Sequence, residues 1–186
     1  MSEILNILQS ILSSAFRMGV PLALGALGGI YSSRAGIVAM GLEGMMLTGA
    51  FSAACVTYYT DNPWLGVAGG ILAGMLIALL EGVLVIRYKI DQVIGGVGIN
   101  LLALGGTNLL MQMIWNNRGK SPLVATIGKV EIPGLGKVSY LLFVLLFLAA
   151  ASWWLIYKTP WGLRLRMSGE NLWAARSLGI KTNKIQ

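Results

Sequence analysis

Seven acidic side chains, one cysteine and no histidine are all that this 186-residue chain offers for covalent or metal chemistry. The acids stand singly along the sequence, so no carboxyl pair, catalytic triad or metal-ligand spacing can be read from them. Without histidine, the commonest general base and metal ligand is missing. Arg118-Gly119-Lys120-Ser121 ends like a phosphate-binding loop, but that loop needs a glycine five residues before Gly119, where Ile114 stands. Gly95-Gly96-Val97-Gly98 opens an apolar segment instead of following a strand, which argues against a dinucleotide site. The residues therefore predict no catalytic group, no bound metal and no cofactor. Any ATP hydrolysis must come from another chain.

What remains is recognition by polar groups in apolar surroundings, where each such group needs a partner. Glu43 lies between Leu42 and Gly44, with Gly41 just before, so a second backbone can come close to its carboxyl group. Either it links two segments or it meets a solute or a gate. Asn100, Thr107 and Asn108 fall within about 100° of arc on a helix, with Gln112 slightly beyond. That face suits interhelical hydrogen bonds or a polar solute pathway. Glu81 stands near Arg87, and a structural pairing or snorkelling role is expected for it. Gly66, Gly70, Gly74, Ala78 and Gly82 recur every fourth residue and form one thin stripe for close helix packing or a moving seam.

The elements that must hold these residues are membrane spans. Of all residues, 56% are hydrophobic and 11% charged, the latter under half the ~25% usual for soluble domains. Segments 35–59, 64–86, 92–115 and 139–157 each carry enough uninterrupted apolar sequence to cross a bilayer, which takes ~20 helical residues. A fifth candidate, 11–30, includes Arg17 and Pro21, and residues 4–14 before it have the spacing of an interfacial helix. Tyr31 to Arg34 reads as a polar break, Asp61-Asn62-Pro63 as a turn, and Asp91 as the start of the fourth span. Residues 116–138 form a longer connection. The expectation is an all-α, polytopic helical bundle of about five transmembrane helices, with residues 1–186 as a single membrane domain.

The net charge of +7 resides in the connections, which argues for orientation in a membrane and against nucleic acid as a partner. One set of connections holds Arg34, Arg87, Lys89, Lys158, Arg164, Arg166, Arg176, Lys181 and Lys184; the other holds Arg118, Lys120, Lys129 and Lys137. The richer set is expected in the cytoplasm, which places the N-terminus outside and the C-terminal segment inside. Cys55 falls within a span and informs neither disulfides nor compartment. The opening Met1-Ser2-Glu3 lacks the basic start of a cleaved signal peptide. Residues 158–183 read as a basic cytoplasmic loop with a short helix, capped by Ser168 or Asn171 and stopped by Gly179. It serves either to anchor on anionic lipid or to dock a cytoplasmic protein.

The string GLRLRMSGENLWAARSLGI at 162–180 closely resembles the coupling loop of membrane subunits from ATP-binding-cassette importers. The permeases for nucleosides and simple sugars are the most similar. PLALGALGGIYSSRAG at 21–36, GLEGMMLTGAF at 41–51, DQVIGGVGINLLALGGT at 91–107 and KTPWGLRLR at 158–166 agree in order and spacing. The resemblance implies a permease in a bacterial inner membrane, moving a nucleoside or, next in order, a simple sugar. It implies a cytoplasmic ATPase, a second permease subunit and an extracytoplasmic solute-binding protein as partners, with the lipid bilayer around them. Arg164, Arg166, Gly169, Glu170, Ala174, Ala175, Gly179 and Ile180 would then couple to the ATPase. Ala39 and Leu172 stand where the family usually has Asn and Pro. Family members continue for several further spans, so the chain reads as the first half of a permease. The rival readings are an ion-coupled secondary transporter or channel built on Glu43 or Glu81, and a non-transporting scaffold or truncated fragment.

Overall fold

Pro21 does not interrupt the first helix. In the computed structural model, α1 runs unbroken over Ser2–Arg34, so the interfacial stretch, the candidate span and the polar Tyr31–Arg34 segment are one element. The structure describes residues 2–117, 119–126, 128–132, 136–170 and Ser177. Three helical segments among them are long and apolar enough to cross a membrane: Pro63–Arg87, Gln92–Trp115 and Leu141–Lys158. At ~1.5 Å per residue, each matches or approaches the ~30 Å hydrocarbon thickness. Their large side chains point outward, with Leu76 67% and Phe147 73% exposed. An apolar surface of that kind is at home in lipid.

The chain divides into two compact units, one of Met1–Ala35 with Ile127–Ile185 and one of Gly36–Thr126. In the second unit, α2 spans Leu42–Thr60, α3 Pro63–Gly82 and α4 Gln92–Trp115. The second span was expected from residue 35, but helix begins only at Leu42. Residues before it form an irregular loop in which Gly36 has φ 86°, a left-handed conformation open to glycine. The turn between α2 and α3 follows the Asp-Asn-Pro signal. Asp61 closes α2 in the left-handed region, the Asn62 side chain accepts from Trp64 N–H at 3.0 Å, and Pro63 opens α3. A π-helical turn, Val83–Arg87, extends α3, and Asp91 caps α4 by accepting from Val93 and Ile94 N–H at 2.9 and 3.3 Å.

The glycine stripe is the seam between α2 and α3. A Cβ on Gly66 would collide with Thr57 Oγ1, and one on Gly70 would lie 2.9 Å from the Gly49 carbonyl oxygen. Gly74 faces Met45 O, whereas Gly82 has nothing within 4 Å of its would-be Cβ and Ala78 is exposed. Tight approach thus occurs at Gly66 and Gly70, with ordinary contact at Gly74. At the Trp115 end, Phe51 and Tyr58 meet the indole edge-on at 5.9 and 5.8 Å between centroids.

In the first unit, a two-stranded antiparallel hairpin precedes α5 (Leu141–Lys158) and α6 (Pro160–Glu170). Strands β1 (Lys129–Ile132) and β2 (Gly136–Ser139) pair with Lys129 opposite Ser139 and Ile132 opposite Gly136. This hairpin lies in the connection 116–138 and is the only strand structure among the described residues of an otherwise helical fold. Val130 and Ile132 on β1 and Val138 on β2 are its sequence signal.

Candidate functional site

Three polar side chains hold the irregular loop that leads into α2. Glu81, buried to 4% exposure on α3, accepts the Gly41 N–H at 3.0 Å. Gln92, at the start of α4, accepts the Val38 N–H at 2.8 Å. Asn100, two turns further along α4, accepts the Gly44 N–H at 2.7 Å and donates to the Met40 carbonyl at 3.0 Å. Each satisfies a main-chain group of the loop or of the first turn of α2. Gly96 and Gly41 make the fit possible: a Cβ on Gly96 would strike Met40, and one on Gly41 would lie 2.8 Å from Glu81 Oε2. Glu81, expected to pair with Arg87 or reach the surface, is instead the link between segments. Glu43 is exposed on this chain in the first turn of α2.

The polar positions of α4 separate into two faces. Asn100 is tied to the loop, and Thr107, 3% exposed, donates to the Ala103 carbonyl of its own helix at 2.6 Å. Both lie on the side that buries Gly96, Ile99 and Ala103. At about 100° per residue, Asn108 and Gln112 are turned from Asn100 by about 80° and 120°. Both are half-buried. The structure therefore assigns Asn100 and Thr107 to the packed face and leaves Asn108 and Gln112 on another.

At the end of α5 the chain turns at Thr159 into a second helix, α6. Thr159 is extended, as a residue before proline favours, and its hydroxyl accepts from Gly162 N–H at 3.2 Å while donating to Leu155 O at 2.5 Å. Pro160 begins α6. A Cβ on Gly162 would run into the Leu155 and Ile156 carbonyl oxygens, so the corner demands glycine. One face of α6 is buried through Gly162, Leu165 and Ser168, and Ser168 Oγ has no hydrogen-bond partner. Ser168 is thus inside a helix and does not cap one, correcting the sequence expectation; the capping signal is Thr159-Pro160. Tyr157 sits between two guanidinium groups. Arg34 Nη2 donates to its hydroxyl at 3.0 Å, and Arg166 Cζ lies 5.1 Å from its ring centre. Arg164, Gly169 and Glu170 are exposed on the same helix. Ala174, Ala175, Gly179 and Ile180 lie outside the described residues, as does Asn171.

Residues 11–186 match the family described as the permease component of the branched-chain amino acid transport system. The chain belongs to this family. A guanosine ABC transporter permease of Bacillus subtilis is 34% identical over 201 residues, covering 99% of this chain and 63% of that protein. A nucleoside ABC transporter permease of Lactococcus lactis is 33% identical, covering 96% of this chain and 61% of its own length. A putative glucose ABC transporter permease of Haloferax volcanii is 30% identical across 95% of this chain and 56% of its own length. The chain thus spans somewhat less than two-thirds of these relatives. No solved structure matches it significantly.

The region matched to the permease family takes in both the loop before α2 and the α5–α6 corner. Several residues that build these sites carried no separate signal in the sequence. Gln92 is a lone amide next to a cap, and Tyr157 reads as one more aromatic at a membrane surface. Thr159-Pro160 is a cap-then-proline signal in the residue types, whereas the expectation above puts the cap at Ser168 or Asn171.

Proposed function

We propose that the chain forms part of the permease subunit of an ATP-binding-cassette importer for a small polar solute, with a nucleoside as the first choice and a simple sugar next. The carrying observation is the 34% identity to a guanosine permease over 99% of this chain. The second nucleoside relative supports the same solute class, and the glucose relative supports the runner-up. A separate ATPase supplies the energy, a second permease subunit completes the pathway, and an extracytoplasmic binding protein delivers the solute.

The corner geometry suits a coupling role. Gly162 and Thr159 fix the direction of α6, and α6 leads the chain toward 171–183, the remainder of the coupling segment. Arg164, Glu170, Ala174 and Ala175 contact the ATPase in this reading, on the cytoplasmic side. Asn108 and Gln112 contribute to the solute pathway, together with Glu43 at the exposed start of α2. A second assignment, Glu81 as an ion-coupling carboxyl group, is disfavoured by its engagement with Gly41 N–H.

The test is co-purification of the ATPase with tagged full-length permease from membranes. Glu170→Ala and Ala175→Trp are expected to abolish association while membrane insertion is retained. Retained association in both variants, or solute uptake driven by a proton gradient in vesicles lacking any ATPase, would refute the proposal.

A further inference from the structure

Toward the Arg34 end of α1, the space between α1 and α5 opens into a groove of about 550 Å³ whose apolar wall includes Leu27, Ile30, Trp153 and Ile156. That is within the ~300–1,000 Å³ range of small-molecule sites. A smaller cavity of about 180 Å³ is lined by Ser33, Arg34, Arg166, Gly169 and Glu170. Ser33 and Arg34 line both, so an apolar slot leads directly into a polar one. Two guanidinium groups converge there on Tyr157, and Arg166 Nε is enclosed without a hydrogen-bond partner. Lys158 adds positive charge nearby, its ammonium 5.9 Å from the Trp153 ring centre.

An apolar slot ending in paired guanidinium groups has the polarity profile of an anionic amphiphile. We propose that this site binds one phosphatidylglycerol molecule, with an acyl chain between α1 and α5 and its phosphate between Arg34 and Arg166. Guanidinium groups bind phosphate oxygens through paired donors, and basic pockets between membrane helices hold anionic headgroups. Glu170 selects among phospholipids. Its carboxyl oxygens accept from the glycerol hydroxyls of phosphatidylglycerol, whereas a choline headgroup has no hydroxyl or N–H to donate. Two basic groups against one acidic group leave the cavity formally positive, which a single phosphodiester neutralises. This inference needs only a membrane-embedded chain, and it gives the Glu170 carboxyl group a lipid partner where the transport reading gives it the ATPase.

The experiment uses full-length protein reconstituted in phosphatidylcholine vesicles with a trace of spin-labelled phosphatidylglycerol or phosphatidylcholine. The motionally restricted lipid fraction gives relative affinity. The wild type should prefer phosphatidylglycerol roughly tenfold, the order expected when two basic side chains meet one anionic headgroup. The double variant Arg34→Gln/Arg166→Gln should lose that preference, while Arg87→Gln/Lys89→Gln, in the other unit, should keep it. Ile30→Trp, which fills the groove, should release the restricted chain while α1 stays helical by circular dichroism. Three results would overturn the proposal: no preference in the wild type, preference retained without Arg34 and Arg166, or displacement of the lipid by inorganic phosphate at millimolar concentration. Photocrosslinking from position 30 that captures a protein segment instead of lipid would also overturn it.

Discussion

Replacing Glu81 tests whether a single buried side chain holds the loop before α2. In the structure its carboxyl group accepts the Gly41 N–H at 3.0 Å and is 4% exposed, so water is poorly placed to take over. Glu81→Ala removes the only acceptor seen for that N–H, and an unsatisfied buried donor costs ~1–3 kcal/mol. Removal of the side chain also leaves a void beside Gly41, which adds to the loss. Glu81→Gln keeps a carbonyl oxygen of the same reach, so it is expected to cost under ~1 kcal/mol. The assay is denaturant unfolding of the full-length protein in detergent, followed by helix content, with amide exchange at Gly41 as a local probe. The alanine variant should unfold at clearly lower denaturant and exchange the Gly41 amide faster, with the glutamine variant close to wild type. Equal loss in both variants, or no loss in either, would refute the assignment of Glu81 as a main-chain acceptor.

Other substitutions separate packing from function. Gly70→Leu should weaken the α2–α3 seam by ~1–3 kcal/mol, since even a Cβ would lie 2.9 Å from Gly49 O; Gly82→Ala, which meets nothing within 4 Å, should leave the unfolding midpoint unchanged. Asn100→Ala, which breaks one hydrogen bond to the loop and one to the first turn of α2, should lower stability; under the proposed function, Asn108→Ala should impair solute uptake by the ATPase-containing complex with little change in unfolding. Thr159→Val should cost ~1 kcal/mol by removing the α6 cap, read from the same unfolding curves.

The helices were legible because lipid imposes a long, uninterrupted apolar run, and their ends because Asn62-Pro63 and Asp91 are capping chemistry. The start of α2 was not. Residues 35–41 are as apolar as a span, and composition alone cannot distinguish a helix from a loop whose backbone is satisfied by side chains far away in sequence. Gly41 and Glu81 are forty residues apart, and Gly44 and Asn100 fifty-six, so these joints are a property of packing. The same limit explains the two glutamates. Glu43, with glycines at 41 and 44, carries the local signature of a buried link; Glu81 carries none, yet the geometry of α3 buries it. The hairpin of β1 and β2 is short enough that its three apolar β-branched residues, Val130, Ile132 and Val138, are easily read as part of a loop.

The polar face of α4 shows how the structure narrows a functional reading. From sequence, Asn100, Thr107, Asn108 and Gln112 form one group, because angular spacing records only which residues share a side of the helix. Once the loop is in place, both amide atoms of Asn100 are engaged with main chain, and the Thr107 proton is directed to its own helix. A solute that bound there would have to break bonds that hold the start of α2 in position. Solute affinity would then be linked to movement of α2, and the linkage would work in both directions. Asn108 lies about 80° around the helix and is free of that constraint. Mutating Asn108 should therefore change solute affinity without changing exchange at Gly44. Mutating Asn100 should change both together. Should Asn108→Ala also speed Gly44 exchange, the division of this helix into a structural and a solute-facing side would fail.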